Sequence, residues 1–408
     1  MRAGRFVKQL TGYRAFIPAP LPPEPSIVID DEMVQLLSKA DRALGRLDGV
    51  TSVLPNPDLF VAMYVRHEAV LSSQIEGTQS TLEDVLEWEI EARGGSQPKD
   101  VEEVVNHVKA MNYGLQRLTE FPLSLPQIKE IHAELMHGVR GHEREPGEFR
   151  RSQNWIGPSG STLATATFVP PPPHEMMAAL DNFEKFLHTE KPMPALIHCG
   201  LAHAQFETIH PFLDGNGRVG RLLITFLLCQ REILDRPLLY LSLYLRAHRA
   251  EYYDRLTAIR TDGNWEGWIK FFLRGVIETS LAATRTARSI LELRESGRER
   301  VLRELGNTTL GQRLFDYLFE HPLVTVRRVE KELGCSYVKA SNLIRQFSEP
   351  EIGFLQEITG GQRNRLFRFQ PYLALFDVPA PDSDEDDNPI TEAVKVQATQ
   401  TDNETMLD

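Results

Sequence analysis

Cysteine is scarce in this sequence: Cys199, Cys229 and Cys335 are the only three in 408 residues, and no two form a CxxC pair. A disulfide framework and a cysteine zinc site are thereby excluded, and a reducing, cytoplasmic setting is expected. No run approaches the roughly 18 apolar residues of a membrane span, and Met1 to Leu10 lack the apolar core of a signal peptide, so no membrane is expected as a partner. Positive charge is not in excess either. The 57 acidic and 45 basic side chains give a formal net charge of -12, which argues against a broad basic surface for nucleic acid or anionic lipid. Also missing is a GxxxxGK[ST] phosphate loop, which removes a standard NTPase from the candidates.

The acidity is concentrated at the end. Residues 379–408 hold nine Asp or Glu against one Lys and few large apolar side chains, so they cannot bury enough surface to offset the entropy of ordering. A disordered acidic tail is expected there, and residues 1–378 are close to neutral. Composition is otherwise that of a soluble globular protein, at 41% hydrophobic and 25% charged.

Residues 1–30 are proline-rich and read as an extended arm, because each proline ring removes a backbone donor and disfavours helix before it. From Asp31 to Ile290 apolar residues recur mostly at helical spacing, as at Leu222, Thr225, Phe226 and Cys229, which makes the body mainly α. One interruption, Gly147 to Pro173, places two β-prone runs around Gly157-Pro158-Ser159-Gly160 and predicts a hairpin. A second module is expected over 300–375. One helix carries Leu314 to Leu318, Thr325 caps a second, Ser336 caps a third, and Phe354–Ile358 and Arg365–Phe369 pair around Gly360-Gly361. Three helices and a hairpin make a winged helix-turn-helix pattern.

The chemistry concentrates in His210-Pro211-Phe212-Leu213-Asp214-Gly215-Asn216-Gly217-Arg218-Val219-Gly220-Arg221. Gly215 and Gly217 let backbone N–H groups approach a ligand at the start of a helix, where orphan donors and the macrodipole favour an anion. Arg218 and Arg221, three residues apart, can hold a polyphosphate chain, and Asp214 is a hard oxygen ligand suited to a Mg²⁺ ion bridging phosphates. His210 has a side chain that is neutral and basic near pH 7. A Gly-Asn-Gly turn alone would be an ordinary connection; base, acid, two glycines and two arginines within twelve residues point to an anion site.

This segment resembles the HPFx[DE]GNGRxxR motif of the Fic (AMPylation) family, with every specified position matched. The resemblance implies an all-α Fic core that transfers AMP from ATP to a Ser, Thr or Tyr hydroxyl of a target protein, or of itself, and releases pyrophosphate. It implies His210 as the base, Asp214 as the Mg²⁺ ligand, and ATP contacts from Gly215, Asn216, Gly217, Arg218, Val219, Gly220 and Arg221. Doc-type relatives that phosphorylate have Lys where Gly217 stands, so the adenylylating orientation of ATP is expected. Upstream, Ser72-Ser73-Gln74-Ile75-Glu76-Gly77 resembles the [ST]xxxE[GN] inhibitory motif of class II members, on a helix of about 59–77. The resemblance implies that Glu76 pairs with Arg221 and competes with the γ-phosphate. Ser72 and Glu76 are four apart on one helical face, Gly77 suits a helix end, and Ser80 with Glu83 suits a capping box for the next helix.

Other positions follow from the same resemblance. Thr165, Ala166, Thr167 and Phe168 are similar to the flap that aligns the target backbone, and Tyr252 and Tyr253 to a pair beside the adenine. Arg260 stands where some relatives have Asn, which departs from that base contact. The catalytic core is placed at about 120–281 within a Fic region of 31–295. The histidines spaced by five, at His132, His137 and His142 and at His198 and His203, do not share a helical face and are read as structural or surface residues.

Two alternatives stay open: removal of AMP by the same site, with Glu76 positioning water, and a DNA-binding regulator acting through residues 308–370. Residues 300–371 carry eleven basic against eight acidic side chains, a small excess for phosphate contacts. Candidate partners are therefore a target protein with a modifiable hydroxyl, a second copy of the chain as a homodimer, and DNA.

Overall fold

The computed structural model describes residues 2–10, 12–52, 57–91, 100–139, 144–158, 160–189, 192–360 and 365–376. The expected acidic tail lies outside these residues, as do His142, Ser159 of the expected hairpin turn and Gly361 of the expected wing turn. The architecture is mainly α, with a two-stranded sheet near the N-terminus and a three-stranded one near the C-terminus.

The N-terminal arm is not simply extended. Strands β1 (Gly4–Lys8) and β2 (Arg14–Pro18) pair antiparallel, Phe6 opposite Phe16, with their rings 5.0 Å apart. Phe16 is fully buried, and its backbone N–H donates to Val169 O at 2.9 Å. The prolines act on the backbone only from Pro18 onward; residues 4–17 contain none and have apolar residues to bury, so this extended stretch pairs with itself and docks.

The helices α1 (Asp31–Ser52), α2 (Pro57–Ile75), α3 (Leu82–Glu91), α4 (Val101–Leu118), α5 (Leu125–Leu135), α6 (Pro173–Leu187), α7 (Ala195–Ile209), α8 (Asn216–Gln230), α9 (Ser242–Ala247), α10 (Arg249–Asp262) and α11 (Trp265–Leu305) enclose one large core. Helix α7 is apolar on nearly every side and buried from Leu196 to Ile209, as a central helix must be. Trp268 of α11 is fully buried and its indole N–H donates to Gly200 O of α7 at 2.8 Å. The α1–α11 contact is tied at its rim by Lys270 to Asp30 and Glu32, and by Arg274 to Glu32. The α3 cap sits one residue later than expected: Thr81 N–H donates to Asp84 Oδ2 at 2.7 Å and Asp84 N–H to Thr81 Oγ1 at 3.2 Å.

Helix α8, which opens with the anion-loop residues, is held close to α4. A Cβ placed on Gly114 would lie 2.3 Å from the Phe226 ring, so the two helices approach over hydrogen alone. Gly114→Ala is expected to force the ring or the helix aside and to cost about 1–3 kcal/mol of stability. A shift of the denaturation midpoint at unchanged m-value would register it; an unaltered midpoint would mean that this contact is loose.

The boundary expected between 295 and 300 falls inside α11, about 60 Å long at 1.5 Å per residue. Beyond it come α12 (Thr309–Glu320), β3 (Leu323–Thr325), α13 (Val326–Leu333), α14 (Tyr337–Ser348), β4 (Leu355–Glu357), β5 (Leu366–Phe369) and the short α15 (Gln370–Leu373). Thr325 Oγ1 accepts from Arg328 N–H at 3.2 Å and Ser336 Oγ from Lys339 N–H at 3.4 Å, the two caps read from the sequence. A third strand, β3, completes the sheet in the order β3-β5-β4. This part is not a detached unit: Arg368 pairs with Glu83 at 2.7 Å, and Phe376 packs edge-on against Tyr64 of α2.

Candidate active site

The anion loop lies between two buried helices. Helix α7 ends because Pro211 follows and because His210 takes a left-handed conformation (φ 51°, ψ 61°), uncommon outside glycine. Gly215 is also left-handed (φ 74°) and caps α8, whose first N–H groups, at Asn216, Gly217 and Arg218, have no intrahelical acceptor. The Asn216 side chain does not project outward. It accepts from Phe212 N–H and donates to Phe212 O, both at 2.8 Å, closing the loop on itself.

Several braces hold this turn that the sequence reading passed over or gave a lesser role. Arg150, almost fully buried, donates to His210 O at 2.9 Å and to Pro171 O at 2.6 Å. Asn154 donates to Phe212 O at 2.8 Å. His132 stacks on Phe212 with ring centroids 3.7 Å apart, accepts from Gly147 N–H through Nδ1, and meets Asp214 O at 3.1 Å through Nε2. Burial pushes its pKa down to about 4, so the ring is neutral and Nε2 carries the proton that Asp214 O accepts. The signal that could have found these residues is the density of polar side chains with no solvent to face, and that emerges only on folding.

The two arginines reach different walls. Arg218, buried, contacts Glu103 Oε2 at 3.1 Å and Met136 Sδ at 3.5 Å, both outside the loop. Arg221, also buried, donates Nε–H to Ser72 Oγ at 2.8 Å and Nη2–H to Ser72 O at 3.0 Å and Glu76 Oε1 at 2.8 Å. Helix α2 stops at Ile75, so Glu76 stands in the following turn and not on the helix face; Gly77 (φ 102°) turns the chain away. The Glu76 carboxylate leans over the loop, since a Cβ on Gly217 would lie 2.2 Å from its Oε1. Enclosure raises its pKa, but the charge of Arg221 and the hydrogen bond from it outweigh that, and the net shift is downward. Its side chain keeps 40% of its exposure, against 2% for Arg221, so the pair is open from one side only.

Asp214 Oδ1 accepts from Gly215 N–H at 2.7 Å, and Oδ2 lies 3.6 Å from Arg144. Val219 is buried in the core, and Gly220 leaves room for a carboxyl from α7, so neither presents a side chain to the loop mouth. Tyr252 is a core residue, 1% exposed, hydrogen-bonded through its hydroxyl to His203 at 2.9 Å; Tyr253 is the exposed member of the pair. Among the described residues the expected hairpin is reduced to one bridge, Ile156 to Phe168. Thr165 and Thr167 are exposed, Ala166 is half-buried, and Phe168 is buried against the Arg260 guanidinium, 3.8 Å from its ring centroid. Arg260 is thus spent on the flap root and the end of α7, where it donates to Thr208 Oγ1 and Glu207 O, both at 3.3 Å.

The model of the Fic/DOC family N-terminal region matches residues 34–116, and that of the Fic/DOC family matches residues 122–228. A protein adenylyltransferase Fic of Aedes aegypti is 32% identical over 40% of this chain and 30% of its own length. One of Culex quinquefasciatus is 27% identical over 60% of this chain and 46% of its own. The match therefore spans less than half of either relative. A Fic family protein from Desulfovibrio desulfuricans G20 shares the fold, with a TM-score of 0.55 at 19% identity over 84% of this chain and 97% of the other. With the HPFLDGNGRVGR loop, the two family regions in succession and this fold in agreement, residues 34–116 and 122–228 are the N-terminal and Fic/DOC regions of the Fic/DOC family.

Proposed function

We propose that the protein transfers the AMP moiety of ATP to a hydroxyl side chain of a target protein, and to itself, and that Glu76 holds this activity in check. The observation that carries the reading is one buried loop that combines a neutral histidine, the open N-terminus of α8 and Arg221. His210 is pushed down to about 3, by burial first and then by Arg260 and Arg150, so at neutral pH its imidazole is unprotonated and can accept a proton. The target oxygen attacks the α-phosphorus, its proton passes to His210, and the bond from the α-phosphorus to the bridging oxygen breaks, so that pyrophosphate leaves. The first N–H groups of α8 and Arg221 hold phosphate oxygens, and the exposed backbone of Thr165 to Thr167 receives the target.

A Mg²⁺ ion fits this donor set, because Mg²⁺ in nucleotide sites takes one or two carboxylates and otherwise phosphates and water. Asp214 would hold it, and it would supply charge neutralisation along the polyphosphate. The protein's own residues still position the nucleotide and move the proton.

The exposed face of Glu76 also supports the reverse reading, in which its carboxylate orients water toward a phosphodiester already on a target. DNA binding through residues 308–370 has less support: exposed Tyr337 and Val338 begin α14, but Arg345, Arg365 and Arg368 are engaged by Glu349, Glu357 and Glu83. The test is incubation with Mg²⁺, a cell lysate and ATP labelled at either the α or the γ position. Bands whose labelling depends on the added protein, judged against the same lysate without it, are expected to take up the α label alone; γ label that depends on the added protein would mean phosphorylation instead.

A further inference from the structure

Beside His210 stands a carboxyl group with no assigned role. Glu207, one turn earlier on α7, is buried, and its Oε2 lies 4.0 Å from His210 Nδ1. Nδ1 of His210 and Oε1 of Glu207 are both shielded from solvent; Nδ1 faces Glu207 alone, its backbone carbonyl and its carboxylate, and Oε1 has no hydrogen-bond partner among the described residues. A buried carboxylate 4.0 Å from a buried imidazole nitrogen is placed to serve it once the ring carries a positive charge. The fold makes room for this carboxyl: a Cβ on Gly220 would lie 2.3 Å from Glu207 Oε1, which gives that position of the loop a purpose other than touching ATP.

The need is electrostatic. A base that takes the target proton becomes an imidazolium, and His210 is flanked by the buried guanidiniums of Arg150 and Arg260, which oppose that charge. We infer that Glu207 is the positioning residue for His210: its carboxylate fixes the imidazole with Nδ1 protonated and Nε2 toward the target hydroxyl, and balances the charge gained when Nε2 takes the proton. Glu207 neither gains nor loses a bond in the transfer. The inference rests on the reading of His210 as the base.

A pH signature follows. Glu207 is raised to about 7, by burial first, against the opposing pull of Arg221, with Glu76 adding to the rise and Arg260 opposing it. The other groups in its field are His210 itself, Tyr252 and Tyr253, and neither tyrosine ionises in this range. Because the folded value is raised, Glu207 is a carboxylate above that pH and a neutral acid below it. The rate should fall as pH falls through the Glu207 titration, since a neutral acid cannot balance an imidazolium.

The experiment measures self-labelling against pH in chains that all carry Glu76→Gly, so that inhibition does not mask the effect. The absolute position of the limb moves with loss of Glu76, and the reading is therefore the difference between variants. Glu207→Gln, nearly isosteric, is expected to lower kcat about 10- to 100-fold at high pH, to change the ATP KM less than about threefold, and to flatten the acidic limb. Glu207→Asp, which keeps the charge, should retain the limb with a smaller loss. A full limb and a normal rate in Glu207→Gln, or a loss in Glu207→Asp as complete and pH-independent as in Glu207→Gln, would overturn the inference. The parent reading fails separately, on undiminished labelling by His210→Ala in the same background.

Discussion

Glu76→Gly is expected to raise the rate of self-labelling from ATP by about 10²-fold or more. The Glu76 carboxylate occupies the Nη2 donor of Arg221 at 2.8 Å and hangs over Gly217, where the outer phosphates would pass. A negative charge there repels the γ-phosphate and leaves ATP able to bind only with its phosphates turned, the α-phosphorus out of line with the incoming hydroxyl. Transfer to a phosphorus centre depends on positioning and charge, and an error of about 1 Å can cost about 10²-fold. Removing Glu76 frees Arg221 without disturbing its anchorage, because Ser72 still accepts from it twice. Arg221→Ala should not reproduce the gain, since it releases Glu76 but deletes the phosphate ligand. ATP affinity measured by calorimetry should change far less than the rate. A large gain in affinity at constant kcat would place Glu76 as a plug of the nucleotide site and not as a gate on alignment.

His210→Ala is expected to abolish transfer, by about 10² to 10⁴ in rate, while ATP binding persists. The separation is structural. His210 contributes a ring at the end of α7, whereas the proposed phosphate contacts lie at the start of α8 and at Arg221. The turn should survive the substitution, because Arg150 and Asn154 grip the backbone carbonyl of residue 210 and not its ring. Single-turnover kinetics with ATP held above its dissociation constant isolate the chemical step, and a wild-type rate there would remove His210 from the mechanism.

Much of this site was legible in the sequence because it is local. The loop from His210 to Arg221 needs only helix ends, glycines and short-range spacing, and Glu76 was readable once its motif was set beside that loop. Its contact with Arg221 joins residues 145 apart, and here the resemblance, not any spacing, supplied the partner. What could not be read was anything depending on burial across elements. The side chain of Asn216 closes its own turn and Tyr252 packs in the core, and neither placement was readable, since a polar or aromatic side chain reveals its partner only after packing. The flap was expected as a hairpin from β-prone residues, yet prolines and glycine leave it one bridge, its Phe168 held by Arg260 instead of by a ladder. Glu207 looked like any acid on a helix. Only the fold shows it enclosed on α7, facing His210.

If His210 drives AMP transfer and Glu76 restrains it, three chains must differ in rate. The most direct test compares the initial rate of labelling from α-labelled ATP, at equal ATP and Mg²⁺, in the wild type, Glu76→Gly and the Glu76→Gly/His210→Ala double variant. A slow wild type, a fast Glu76→Gly and a double variant at or below the wild-type rate are expected. Equal rates in the first two would contradict restraint by Glu76, and a double variant as fast as Glu76→Gly would contradict transfer through His210.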